Sequence, residues 1–229
     1  MLYIIATPIG NLSDISKRAL DALREVDIIA CEDTRRTRIL LNHYEIQTKR
    51  PIVSYREQNE IHAGEKLAQH LADGKDIALC SDGGYPGVSD PGFRLIKLAI
   101  ERDLEFTIIP GASAVPVALL LSGLPSSSYT FKGFPPRKNG QRLRFFEMEK
   151  DLPHTIIIFE SPFRVTKTLT SALEALGDRQ AAVCIELTKK FEKTSRGRLS
   201  DLIKEFTDKK IKGEVSITIA GVTRKDGGK

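Results

Sequence analysis

Little in this 229-residue chain points to metal or disulfide chemistry. Its three cysteines are an odd number, form no CxxC pair and have no histidine near them at metal-ligand spacing. Cys31 and Cys80 each end an apolar run, DIIAC and DIALC, and Cys184 lies inside AAVCIE, so all three read as buried, reduced thiols. The four histidines, His43, His62, His70 and His154, are scattered, and no metal is expected. Long hydrophobic runs are missing too: none approaches the roughly 18 residues needed to span a bilayer. The opening MLYIIATPIGN is too short for a signal peptide and lacks its basic flank; it reads as a strand running into a loop. A soluble, cytoplasmic protein is expected. No internal repeat or low-complexity segment stands out, and Lys225–Lys229 reads as a frayed tail.

What is present suits a packed α/β protein. Hydrophobic residues make up 41% of the chain, enough for an ordinary core. Short β-rich runs alternate with amphipathic helical segments: Leu2–Ala6, Ile28–Cys31, Ile52–Tyr55, Ile77–Cys80 and Phe106–Ile109 read as strands. Between them, Ile15–Val26, Arg35–His43 and Ile61–Ala72 read as helices, as does a segment starting at SDPG with Asp90 as cap and Pro91 in its first turn. Such alternation predicts a mostly parallel sheet covered on both faces. After the helix Ala112–Leu121, the segment SGLPSSSYTFKGF breaks the rhythm, and the domain boundary is set there, giving domains 1–121 and 122–229. The alternation then resumes with helices at Gly140–Glu149, Arg164–Leu176 and Leu199–Phe206. Strands are expected at Thr155–Glu160, Ala181–Glu186 and Glu214–Gly221.

Charge is unevenly placed. Residues 1–110 carry 14 Lys and Arg against 17 Asp and Glu, whereas 111–229 carry 21 against 13. That asymmetry suggests a polyanionic partner for the second half.

Three loops fall where an open parallel sheet gathers its ligands, beyond the carboxyl ends of strands: ATPIGN, SDGGYPGVSDPG and IIPGASAV. Their glycines and small residues permit close backbone approach to a small polar ligand. Neither a Walker phosphate loop nor a GxGxxG following a strand occurs. The residues alone therefore lead to a ligand site between two α/β lobes and leave the ligand open.

Eight segments in order carry a resemblance over nearly the whole chain: LYIIATPIGNLSDIS, ACEDTRRTRILL, YREQNE, SDGGYPGVSDPGFRL, IPGASAV, GFPPRK, FESPFR and ELTKKFEKTSRG. Together they resemble the ribosomal RNA small-subunit methyltransferase I family of the tetrapyrrole-methylase superfamily. The resemblance implies a two-lobed fold, with a mostly parallel sheet in the N-terminal lobe, a mixed sheet in the C-terminal lobe and a ligand cleft between them. It implies S-adenosyl-L-methionine as cofactor and 2′-O-methylation of a cytidine in the decoding region of 16S rRNA, with the 30S subunit as substrate and a homodimer as the expected assembly. It also implies cofactor contacts from Pro8, Ile9, Asp82, Gly84, Val88, Ser113, Ala114, Phe159 and Ala220. Glu32, Asp33, Arg35, Glu160 and Lys189 are the implied catalytic candidates, with Glu57, Asn59 and Glu186 beside them.

The chain departs from the family pattern in places. It reads SDGGYPG where SDAGTPL is common, and it has Arg56, Gln58 and Phe163 where histidines often stand. Many members also carry a further helical segment beyond the last residue here. For RNA contact, Arg36, Arg137, Lys138, Arg142, Arg164 and Arg196 are expected to meet phosphates, a contact that supplies affinity without base specificity. Two other readings are weighed beside this one: a corrin-type tetrapyrrole methylase, and a non-enzymatic RNA-binding assembly factor.

Overall fold

The computed structural model describes residues 1–47 and 49–222, so the tail at Lys225–Lys229 lies outside the described residues. The chain divides into two compact units, 1–113 and 114–229. No helix among the described residues is long and apolar enough to cross a membrane.

The first unit is a five-stranded, wholly parallel sheet. Its strands are β1 (Leu2–Ile5), β2 (Ile28–Cys31), β3 (Ile52–Ser54), β4 (Ile77–Cys80) and β5 (Phe106–Ile109), in the order β3-β2-β4-β1-β5. Strands β2 and β4 are buried at every residue, which is why IIAC and IALC read as unbroken apolar runs. Helices α1 (Lys17–Glu25) and α2 (Thr34–His43) cover one face, where Ala19, Leu23, Leu40 and Leu41 pack on Ile5, Ile29, Cys31 and Cys80. Helices α3 (Glu60–Ala72) and α4 (Phe93–Glu101) cover the other, with Leu67, Leu71, Leu95 and Ala99 against Leu2, Ile4, Ala30 and Leu79. The expected start of α4 is corrected. Its N-cap is Gly92, at φ 153° and without any side-chain cap, so neither Asp90 nor Pro91 opens the helix. A Cβ on Gly92 would stand 2.6 Å from the Gly87 nitrogen, so the chain closes on itself here instead of running straight into a helix.

The second unit holds a mixed sheet of order β6-β7-β10-β8-β9. Its strands are β6 (Tyr129–Phe131), β7 (Thr155–Glu160), β8 (Gln180–Ile185), β9 (Lys193–Arg198) and β10 (Val215–Ile219). Strands β6 and β7 pair in parallel, whereas β10 runs antiparallel to both β7 and β8, and β9 antiparallel to β8. Alternation along β7 sorts the core. Ile156 and Ile158 meet α6 (Asn139–Glu147), α7 (Val165–Leu176) and α8 (Leu199–Phe206), while Ile157 meets Val115 and Leu119 of α5 (Ala114–Ser122). Because α5 packs on this sheet, it goes with the second unit, whereas the boundary expected after Leu121 put it with the first. Two strands escaped the sequence reading. β6 lies inside the segment SGLPSSSYTFKGF, where the domain boundary was expected, and β9, KTSRGR, has no apolar alternation because it is a basic edge strand held by its backbone ladder to β8.

Candidate active site

Because all five strands of the first sheet run the same way, the loops after each of them meet at one edge. That edge gathers residues 6–11, 32–33, 55–59, 81–92 and 110–113, two more loops than the glycine pattern singled out. The connections explain where a ligand would lie. From β1 the chain passes α1 and reaches β2 on the far side of β4; from β4 it passes α4 and reaches β5 on the far side of β1. Neighbouring strands whose connections leave in opposite directions open a crevice between their carboxyl ends. Here that crevice belongs to ATPIGN and SDGGYPG.

Hydrogen bonds knit these loops together. Thr7 and Gly84 exchange two backbone bonds of 2.9 Å, Thr7 Oγ1 donates to the Ser81 carbonyl at 3.1 Å, and Ser81 Oγ donates to the Gly84 carbonyl at 3.1 Å. Gly84 sits at φ +86°, a conformation that favours glycine. The Gly111 N–H donates to Tyr85 Oη at 3.1 Å, tying the second glycine-rich loop to the third. Tyr85 thus holds the second and third glycine-rich loops together. Asp82 accepts from the Asp33 N–H at 3.0 Å and from Arg36 at 3.3 Å, and Arg56 Nε donates to the Glu32 carbonyl at 2.9 Å. Asn59 fixes the turn that carries Arg56, accepting from the Arg56 N–H and donating to the Ser54 carbonyl. Sequence reasoning missed Thr7, Ser81, Tyr85 and Arg56; the last two stood out only as departures from the family pattern.

The two adjacent carboxylates of EDTRRT have different environments. Asp33 is the N-cap of α2, accepting from the Arg35 N–H at 2.9 Å, and it also pairs with the Arg35 guanidinium at 2.6 Å. Hydrogen bonds from Arg35 hold its carboxyl far below the usual carboxylate range, so Asp33 is a weak base. Glu32 is half-buried, and burial first, then the like charge of Asp82, pushes its pKa up. Between the two, Glu32 has the character of a proton acceptor.

The remaining cofactor candidates spread over the fold. Pro8 is buried beside half-buried Ile9, Val88 is 43% exposed, and Ser113 and Ala114 are half-buried at the third loop. Phe159 packs edge-on against Phe131 and Phe134. Ala220 follows β10, whose last residue, Ile219, pairs with Ile156, while Phe159 pairs with Ser216 at the other end of that strand. Phe159 and Ala220 therefore stand toward opposite ends of the second sheet and are not brought together.

In the second unit the charged candidates are heavily engaged. The Glu160 side chain is fully buried and accepts from Arg164, from Thr168 Oγ1 and from the Ser161 N–H. Lys189 bonds Glu186 at 2.9 Å and Glu214 at 3.1 Å. Partial burial disfavours its charge, but those two carboxylates prevail and raise its pKa, so it stays protonated. One expectation for RNA contact is corrected here. Arg142 is only 5% exposed and donates inward to Ser171 Oγ, Asn139 Oδ1 and the Arg137 carbonyl. Arg164 also donates to the Pro135 carbonyl, and Arg196 to the Leu121 carbonyl. Arg142 and Arg164 thus hold the loop on which Arg137 and Lys138 are presented to solvent. Cys31, Cys80 and Cys184 are buried and unpaired, and burial pushes their thiol pKa values up. Among the described residues no group of three or more His, Cys, Asp or Glu could hold a metal ion.

Residues 1–203 match the model of the tetrapyrrole (corrin/porphyrin) methylases. Two proteins named ribosomal RNA small subunit methyltransferase I are close relatives. That of Halalkalibacterium halodurans is 45% identical over 220 residues, 96% of this chain and 75% of that one. That of Thermotoga maritima is 42% identical, covering 96% and 98%. The chain belongs to the ribosomal RNA small subunit methyltransferase I family of tetrapyrrole methylases. Solved structures agree on the fold: uroporphyrin-III C-methyltransferase of Thermus thermophilus superposes with a TM-score of 0.65 at 16% identity, covering 95% of this chain and 96% of that one. Cobalt precorrin-4 methyltransferase does so with a TM-score of 0.70 at 16% identity, covering 96% and 94%.

Proposed function

We propose that this family member methylates the 2′-oxygen of a cytidine ribose in the decoding region of 16S rRNA, acting on the small ribosomal subunit in the cytoplasm. S-adenosyl-L-methionine supplies an electrophilic methyl group on a sulfonium. The donor set of the first unit fits such a group. The Asp82 carboxylate suits a cationic ammonium or sulfonium centre or a ribose hydroxyl donor, and the small residues Gly111, Ala112 and Ser113 leave room for close backbone approach.

The observation that carries this reading is Glu32 at the carboxyl end of β2: a half-buried carboxylate of raised pKa among loops fixed by hydrogen bonds. A ribose hydroxyl is a weak acid, and a positioned base of raised pKa helps remove its proton as the oxygen attacks. The Arg56 bond to the Glu32 backbone and the Asp82 bond to the Asp33 backbone hold that base in place, and positioning is a large part of methyl transfer. Arg137 and Lys138, exposed on a loop anchored by Arg142 and Arg164, are the proposed phosphate contacts. A ribosomal acceptor is favoured over a corrin because the relatives at 42–45% identity are named for rRNA, while the corrin and porphyrin enzymes are alike in fold.

The test is direct. Incubation of 30S subunits with the protein and S-adenosylmethionine, digestion to nucleosides and mass spectrometry should yield 2′-O-methylcytidine. A base-methylated nucleoside, or no methylated product, would overturn the reading.

A further inference from the structure

We propose that the hollow beside Phe163 is a nucleotide-binding site, in which the exposed Phe163 ring stacks on an unpaired base of the RNA while Lys209 and Lys210 hold its phosphates. This deepens the rRNA reading above and rests on it. The hollow, of about 290 Å³, lies between the turn after β7 and the segment after α8; Pro162, Phe163, Thr207, Lys209, Lys210 and Ile211 line it.

Three observations converge. Phe163 is 84% exposed, the most exposed of the large hydrophobic side chains. Water is a poor environment for a free phenyl face, and such a face gains when a base covers it. Next, the ring is held on a rigid turn. Its neighbour Arg164 bonds the buried Glu160 carboxylate at 2.6 Å and the Pro135 carbonyl at 3.1 Å, so little order has to be gained on binding. Last, the surroundings are cationic. Across residues 207–212, TDKKIK, three lysines face one acid, Asp208. Lys209 bonds Glu205 at 3.0 Å, and among the described residues no ion pair is seen for Lys210 or Lys212.

The topology widens the patch. Strands β7 and β8 end, and β9 and β10 begin, at the same end of the second sheet, where the Glu214 N–H bonds Glu186 at 2.9 Å. That end also carries Phe191, 75% exposed with Lys190 over its ring, and Arg137 and Lys138 on the loop that Arg164 anchors. Aromatic faces set among lysines and arginines are how proteins hold single-stranded nucleic acid. A protein partner would sooner meet a larger apolar surface with few charges at its centre.

The chain has no tryptophan, so Phe163→Trp places a single fluorescent indole in the hollow. Titration of this variant with short unstructured oligocytidine, and with 30S subunits, should quench that fluorescence. Phe163→Ala should weaken binding of both about tenfold, and Lys210→Ala should weaken it and flatten its salt dependence, with melting temperatures unchanged. Unmoved fluorescence, or wild-type affinity in Phe163→Ala, would overturn the site. A signal with 30S subunits but none with oligocytidine would give the hollow to a ribosomal protein and overturn it as well. Subunit binding that stays strong and salt-dependent in Phe163→Ala would sink this inference alone. Failure of the wild-type chain to bind subunits or RNA at all would sink the rRNA reading with it.

Discussion

Two glycine-to-alanine changes in one loop should have very different consequences. At Gly84, φ is +86° and an added Cβ would meet Ile9 Cγ2 at 3.6 Å and the Ala112 carbonyl at 3.9 Å, both ordinary contacts. The cost is then the left-handed backbone alone, about 1–2 kcal/mol for a residue with a Cβ. In a protein of this size that lowers the melting temperature by roughly 2–8 °C. The Thr7–Gly84 backbone pair can persist, so affinity for S-adenosylmethionine should change by less than about threefold, or under 0.7 kcal/mol. At Gly92 the added Cβ would stand 2.6 Å from the Gly87 nitrogen and 2.9 Å from the Pro86 carbonyl carbon. Both are backbone atoms, so no side chain can swing aside. The loop must open, breaking the 3.3 Å bond from the Gly87 N–H to the Pro91 carbonyl, at a further cost of about 1–3 kcal/mol. The opened segment is the one that carries Asp82 and Tyr85, so cofactor affinity should fall tenfold or more. Calorimetric titration beside a thermal unfolding curve separates the two effects. Wild-type affinity in a folded Gly92→Ala protein would refute the reasoning, because the closed loop would then have no part in the site.

Other expectations follow from charges. As the proposed base, Glu32 would work only when ionised, and its raised pKa should place the acid limb of kcat/KM above the ordinary carboxylate range. Asp82→Asn removes the like charge, so the limb should move to lower pH; a limb that stays put would exclude Glu32 as the titrating group. Glu205 has its pKa pulled down to about 2: burial opposes its charge, but bonds from Lys209, Lys193 and Ser195 prevail. A carboxylate lowered in the folded state stabilises fully above its unfolded pKa and loses that contribution as pH falls toward about 2. Glu205→Gln should therefore lower the melting temperature at pH 7 and much less at pH 2.5, and an equal loss at both would refute the pairing. Finally, Arg142→Leu should cost about 1–3 kcal/mol of stability, since it removes three inward bonds, whereas Arg137→Glu with Lys138→Glu should leave unfolding unchanged. That double variant should weaken 30S binding and reduce its salt slope by about 2; the opposite division would reverse the roles given to these residues.

Periodicity made much of the fold legible. Strands buried on both faces announce themselves as apolar runs, and Ile28–Cys31, Ile77–Cys80 and Thr155–Glu160 coincide with strands to the residue, as does the half-exposed edge strand Phe106–Ile109. β9 was hidden because an edge strand needs a backbone partner more than apolar side chains, and KTSRGR offers only the former. The start of α4 misled for a related reason: SDPG has the composition of a capped helix start, but the contact between Gly92 and Gly87 is set by the return of the loop, which local sequence does not encode. At the site, glycine-rich loops were visible one at a time, while their convergence needed the strand order, and the Tyr85–Gly111 bond needed coordinates. Charge alone could not separate Arg142 from Arg137. One guanidinium is buried against Ser171 and the other stands in solvent, though both occur in the same basic run.

The proposed methyl acceptor is a ribose oxygen of 16S rRNA. A 2′-O-methylated nucleotide has lost the hydroxyl through which alkali cleaves the adjacent phosphodiester. 16S rRNA from 30S subunits treated with wild-type protein and S-adenosylmethionine, then partly hydrolysed in mild base, should show one gap in the decoding region. That gap should be missing when either component is left out, and fainter with Glu32→Gln. An unbroken ladder after complete reaction with the wild-type protein would contradict the account.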